Sequence, residues 1–138
     1  MSKTKTKTKQ KHILWVEDDQ QLVDLYTVMF TKIKNIKVEF LKLGQLALDR
    51  IKEIEEGKAE KPDLLMLDLL LPDVNGDKVL EQLRKTPSTK DVPVFILTNY
   101  GGEVMEVKMT KELNAEKYLV KTEWVPTKLM PLIQERMK

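Results

Sequence analysis

Four times along this 138-residue chain a short apolar run stops abruptly at a side chain that carries chemistry. Ile13-Leu14-Trp15-Val16 ends in Glu17-Asp18-Asp19, and Leu64-Leu65-Met66-Leu67 ends in Asp68. Val94-Phe95-Ile96-Leu97 ends in Thr98-Asn99, and Tyr118-Leu119-Val120 ends in Lys121. Unbroken apolar runs of this length suit strands buried on both faces, the situation in a parallel sheet covered by helices. Ligands of such sheets collect beyond the carboxyl ends of the strands. Acids, a hydroxyl and an amine are therefore directed toward one crevice.

Between the runs lie stretches of helical period, and the alternation repeats five times, which predicts an α/β fold. Strands are expected near 13–17, 36–41, 63–67, 93–97 and 116–120. Leu22, Tyr26, Met29, Phe30 and Ile33 mark the stripe of a first helix; Ala47, Leu48, Ile51 and Ile54 mark a second that ends near Gly57. Val79, Leu80 and Leu83 make a short third, closed before Pro87, and a less cleanly patterned fourth runs from about Gly102 to Leu113. A fifth opens at Val125-Pro126, but Pro131 falls inside it, so a kink or a late start is expected. With a right-handed crossover at every step, the flavodoxin-like doubly wound order 2-1-3-4-5 is the expected arrangement, and it puts strands 1, 3 and 4 in the middle.

Composition narrows the chemistry. There is no cysteine, which removes disulfides and thiolate metal sites, and a single histidine, His12, which makes a hydrolase triad implausible. No apolar stretch reaches the roughly 20 residues of a membrane span, and no signal core opens the chain; a cytoplasmic protein is the expectation. The net charge of +2 is misleading, because Lys3, Lys5, Lys7, Lys9 and Lys11 sit together without an acid. Setting these five aside leaves 19 basic against 22 acidic residues, a body at −3. The expected division is a basic, disordered tail over 1–11 and one folded domain over 12–138. Its charge alone could draw such a tail to nucleic acid or an anionic surface, although a merely solubilising role is the plainer reading.

Glu17, Asp18 and Asp68 meeting in one crevice would repel one another unless a cation lay among them. Oxygen ligands without histidine or thiolate suit a hard divalent ion, and Mg²⁺ better than Ca²⁺ in a site this small. A carboxylate beside such an ion can attack phosphorus when charge on the incoming group is neutralised, and Lys121 and Thr98 supply an ammonium and a hydroxyl for that. Each residue has an ordinary reading when taken singly. Asp18 or Asp19 could cap a helix, Thr98 and Lys121 could be solvated strand ends, and Tyr118 could be packing.

In combination the segments ILWVEDD, PDLLMLDLLLPDVNG, VPVFILTNY and NAEKYLVK resemble the receiver domain of two-component response regulators, from about Ile13 to the C-terminus. The resemblance implies Asp68 as phosphoacceptor, Asp18 as a direct Mg²⁺ ligand, Glu17 as a ligand through water, and Leu70 as a ligand through its backbone carbonyl. It implies that Thr98 and Lys121 contact the phosphoryl group and that Tyr118 turns inward with Thr98 on activation. The implied partners are a sensor histidine kinase or phosphotransfer protein and a downstream protein target. With only Met137 and Lys138 beyond the fifth helix, no DNA-binding domain is expected. The implied chemistry is self-catalysed phosphorylation and dephosphorylation, without a separate output enzyme.

Three positions depart from the family pattern. Thr122 stands where a proline usually follows the lysine, so a trans peptide is expected there. Asn99 replaces a small residue and is expected to narrow access to the phosphoryl group, and Pro131 is foreign to a regular last helix. These departures leave open a binding module that keeps the fold but signals without phosphate. An aspartyl phosphohydrolase is a further rival, weakened because Leu70 occupies the place of its second acid.

Overall fold

The computed structural model describes residues 10–138. Five parallel strands, β1 (Lys11–Val16), β2 (Ile36–Leu41), β3 (Leu64–Leu67), β4 (Val94–Thr98) and β5 (Lys117–Val120), stand in the order β2-β1-β3-β4-β5. This is the order expected from the pattern. Every residue of β3 and of β4 is buried, because both strands lie inside the sheet with helices on either side.

Alternate residues of each strand feed two separate cores. Leu14, Val16, Leu65 and Leu67 pack with Ala47 and Ile51 of α2 (Gly44–Glu55) and with Val79, Leu80 and Leu83 of α3 (Gly76–Lys85). Ile13, Trp15, Met66 and Phe95 face the other way, onto Tyr26 and Phe30 of α1 (Gln20–Phe30) and Leu129 and Ile133 of α5 (Pro126–Arg136). Trp15 is wholly buried, its ring centroid 4.6 Å from that of Tyr26. Side chains of this size each contribute on the order of 2 kcal/mol by burial.

Several expectations need correction. The strand begins at Lys11, whose N–H donates to the Asn35 carbonyl at 2.9 Å, so the expected tail boundary falls inside β1; residues 1–9 of that tail lie outside the described residues. Ile33 lies past the end of α1, and Val23 takes a buried place on the helix instead. The expected fourth helix is two pieces. A short α4 (Glu103–Val107) passes into a π-helical turn (Lys108–Glu112), in which the Leu113 N–H reaches five residues back to the Lys108 carbonyl at 3.0 Å. The wider turn sets Met109, wholly buried, into the core, which a helical period of 3.6 does not describe.

The last helix does not start late. It opens at Pro126 and contains Pro131, whose missing N–H falls on the exposed side, where water can serve the carbonyl left free. Arg84 ties the base of α3 to two loops: its guanidinium donates to the carbonyls of Leu113, Lys90, Val92 and Asn114 at 2.7 to 3.1 Å. None of the described helices is long and apolar enough to cross a membrane.

Candidate functional site

The ladder of the sheet continues one residue past the strand ends, and this is what aligns the chemistry. The Glu17 N–H donates to the Leu41 carbonyl at 2.9 Å, the Asp68 N–H to that of Val16 at 3.1 Å, and the Lys121 N–H to that of Thr98 at 2.9 Å. Each residue is thus held by its neighbour strand just where the sheet opens. The crevice lies at the switch between β1 and β3, where successive connections leave in opposite directions.

Glu17, Asp18 and Asp68 each bring a carboxylate oxygen within 4.8 Å of the others. Glu17 is wholly buried and Asp68 nearly so, whereas Asp18 is exposed. The Lys121 ammonium donates to Asp68 Oδ2 at 2.7 Å and to Glu17 Oε2 at 2.9 Å. Glu17 Oε2 also accepts the Asp19 N–H at 3.2 Å, while Glu17 Oε1 is buried with no partner among the described residues. Burial pushes the Glu17 carboxyl up to about 7, against the opposing pull of Lys121. Burial works to lower the Lys121 ammonium, but its bonds to Asp68 and Glu17 leave it above the ordinary lysine range. Tyr26 is raised to about 12, by burial first and by the Glu17 charge second.

Three carboxylates against one ammonium leave an excess of negative charge in a partly buried crevice. Oxygen donors this close, one of them buried and unpartnered, fit a hard divalent cation and offer nothing to a soft one.

The remaining expected site residues surround this cluster. The Leu70 N–H donates to Asp68 Oδ1 at 3.1 Å and so helps fix the carboxylate, while Leu70 itself is 52% exposed. Thr98 is wholly buried at the end of β4, and its hydroxyl accepts the Tyr100 N–H at 3.1 Å, a bond to its own loop and not to Asp68. The Tyr118 hydroxyl donates to the Tyr100 carbonyl at 2.6 Å, so it spans the β4–α4 loop. Asp19, one of the two candidate caps, is the residue that caps α1. No peptide bond among the described residues is cis, in line with Thr122 following Lys121, and Lys121 reaches the acids all the same.

Sequence reasoning missed Asp73, whose carboxylate accepts the N–H groups of Gly44 at 2.8 Å and Gln45 at 2.9 Å. Those bonds, with that of Gln45 foremost, hold the Asp73 carboxyl below the usual range. It missed two steric fits as well. A Cβ on Gly44 would stand 2.2 Å from the Val74 carbonyl oxygen, and one on Gly76 would stand 2.1 Å from that of Asp68. The turn residues Asp73-Val74-Asn75-Gly76 were the available signal, but their partners lie on another element.

Comparison with known proteins fits this geometry. The sequence matches the family model described as the response regulator receiver domain over residues 13–134. It is 34% identical over 109 residues to the DNA-binding dual master transcriptional regulator RpaA of Synechocystis, a match covering 79% of this chain and 42% of that protein. It is 28% identical over 131 residues to the DNA-binding response regulator MtrA of Mycolicibacterium smegmatis, covering 95% of this chain and 52% of that one. The chain spans about half the length of these curated relatives. Among solved structures, the Mn²⁺-bound form of the response regulator Rcp1 aligns with a TM-score of 0.74 at 29% identity, over 91% of this chain and 90% of that one. The non-phosphorylated HemR receiver domain of Leptospira biflexa aligns with a TM-score of 0.73 at 28% identity, over 94% and 95%.

Proposed function

Since the chain belongs to the response regulator receiver domain family, we propose that Asp68 accepts a phosphoryl group from the phosphohistidine of a sensor histidine kinase or phosphotransfer protein. The signal then leaves by contact with a downstream protein or by onward phosphate relay. One observation carries the reading: Lys121 holds the nearly buried Asp68 carboxylate at 2.7 Å, with Glu17 and Asp18 completing an acidic cluster beside it. The reading brings with it a cytoplasmic setting, where such donors are charged from ATP.

Asp68 attacks through an ionised carboxylate, so no separate base is needed. Its oxygen forms the O–P bond as the P–N bond of the phosphohistidine breaks, and the electron pair of that bond returns to the imidazole. The Lys121 ammonium pairs with a phosphoryl oxygen, and Thr98, freed from Tyr100, donates its hydroxyl to another. Glu17, Asp18, Asp68 and the Leu70 carbonyl would hold Mg²⁺, which when bound offsets the charge of the acids and the phosphoryl group. The Thr98 movement strains the loop that Tyr118 clamps at the Tyr100 carbonyl, and this couples Asp68 to the surface around α4 and β5. Hydrolysis of the acyl phosphate by water resets the site.

The test is to incubate the protein with Mg²⁺ and a small acyl-phosphate donor and weigh it. A phosphate-sized mass gain in the wild type, absent in Asp68→Asn, is expected. No gain, or an equal gain in the variant, ends the proposal.

A further inference from the structure

Helix α2 begins without a cap of its own: its N-cap residue is Leu43, which has no side-chain acceptor. The N–H groups of Gly44 and Gln45 must find partners elsewhere, and that of Gly44 is on a buried residue. Both are taken by Asp73, one by each carboxylate oxygen, from 29 and 28 residues along the chain. Asp73 sits at the apex of the segment that starts at Asp68. The base of that segment is closed by the Gly76 N–H donating to the Leu69 carbonyl at 2.9 Å, and by the Leu70 N–H donating to Asp68 Oδ1 at 3.1 Å. Its two flanks have no slack, because Gly44 abuts the Val74 carbonyl and Gly76 abuts that of Asp68. The loop is therefore wedged between the start of α2 and the backbone of Asp68, and among the described residues only Asp73 bonds it to that helix through a side chain.

We propose that Asp73 is a positioning residue for the Asp68 site. By pinning the 69–75 loop to α2, it sets how tightly the acidic cluster binds a divalent cation and how fast Asp68 takes phosphate. The inference rests on the reading of Asp68 as phosphoacceptor. Asp73 is itself exposed, so replacing it opens no cavity; what it removes is the anchor of a loop whose other end carries Leu70 and the Asp68 carboxylate. Groups hydrogen-bonded to a metal ligand typically change affinity about tenfold or more, and the loop that Asp73 anchors carries such a group, the Leu70 N–H on Asp68.

The test compares wild type, Asp73→Asn, Asp73→Ala and Glu39→Gln, the last weakening the bond from Arg50 of α2 to Glu39 of β2 without touching the loop. Mn²⁺ binding is read from the electron paramagnetic resonance of the free ion, and the phosphorylation rate is measured with a small acyl phosphate at saturating metal. Asp73→Ala is expected to weaken Mn²⁺ binding about tenfold and to slow phosphorylation. Asp73→Asn, with one acceptor left, should fall between, and Glu39→Gln should match wild type in both. Should Asp73→Ala fail to fold, Asp73→Asn carries the comparison. Wild-type behaviour in both Asp73 variants, or an equal loss in Glu39→Gln, overturns the inference alone. A wild-type chain that takes no phosphate overturns the reading beneath it, and the inference with it.

Discussion

The Lys121 ammonium donates to Asp68 Oδ2 at 2.7 Å across 53 residues of sequence, and the same nitrogen reaches Glu17 at 2.9 Å across 104. One cation thus holds together two acids that burial and mutual repulsion would drive apart. The candidate site is a point of electrostatic tension.

Removing that cation should be costly. Lys121→Gln leaves Glu17 and Asp68 buried without a counter-charge, and breaking a buried pair costs about 3 kcal/mol. Urea denaturation at pH 7 should show that loss, and adding Mg²⁺ should restore part of it. An unchanged midpoint would mean that the pair carries no net energy.

A divalent ion should stabilise the fold by mass action. At a hundredfold excess over its dissociation constant the gain is about 2.7 kcal/mol. Thermal melts should rise with Mg²⁺ or Mn²⁺ in the wild type and much less in Asp18→Asn, whose carboxylate is the exposed member of the cluster. A rise of the same size in both would place the ion elsewhere.

Gly76 should not tolerate a methyl group. Its Cβ would stand 2.1 Å from the Asp68 carbonyl oxygen, and backbone cannot yield as a flexible side chain does. Gly76→Ala is expected to cost about 1–3 kcal/mol and to slow phosphorylation, because it is Asp68 that must move. Gly101→Ala, with nothing within 4 Å of its Cβ, is the matched control and should change neither.

The Arg50–Glu39 pair joins α2 to β2 and predicts a pH dependence. Hydrogen bonds from Arg50 hold the Glu39 carboxyl below its ordinary 4.5. Its contribution is therefore complete above about pH 4.5 and lost as the pH falls through the depressed value. Arg50→Gln should cost about 0.5–1 kcal/mol at pH 7, a figure reduced for the partial exposure of Glu39, and nothing measurable once Glu39 is protonated. Denaturation at pH 7 and near pH 3 distinguishes these outcomes.

Tyr118→Phe removes the donor to the Tyr100 carbonyl. A loss of about 1 kcal/mol is expected, together with faster hydrogen exchange in the 99–102 loop and unchanged exchange in β3. Equal exchange in the loop would show that the hydroxyl is not its clamp.

The architecture was legible in the sequence because burial on both faces of a parallel sheet leaves unbroken apolar runs, and because each run ends at its strand's end or, in β4, one residue before it. Leu64 to Leu67 followed by Asp68 announces both the strand and the carboxylate beyond it. Helix period likewise announced α2 and α3. The fourth helix resisted because its second half is a π-helical turn, in which Met109 is buried off the 3.6-residue period that the pattern was read with. Pro131 was ambiguous for a similar reason: whether a missing N–H breaks a helix depends on which side meets water, and this one meets it.

What tertiary structure alone decided is who touches whom across long separations. The identities of Glu17, Asp68 and Lys121 stand in the chain, but the orphaned oxygen of Glu17 and its raised carboxyl exist only once a closed crevice strips the water away. Asp73 looks like any turn residue until the loop is laid against α2, and Gly44 and Gly76 look like ordinary turn glycines until a carbonyl oxygen is found where a Cβ would be. Local pattern encodes burial and period, which each element satisfies by itself; partners, close approaches and proton affinities belong to pairs of elements, and pairs exist only after the chain has folded.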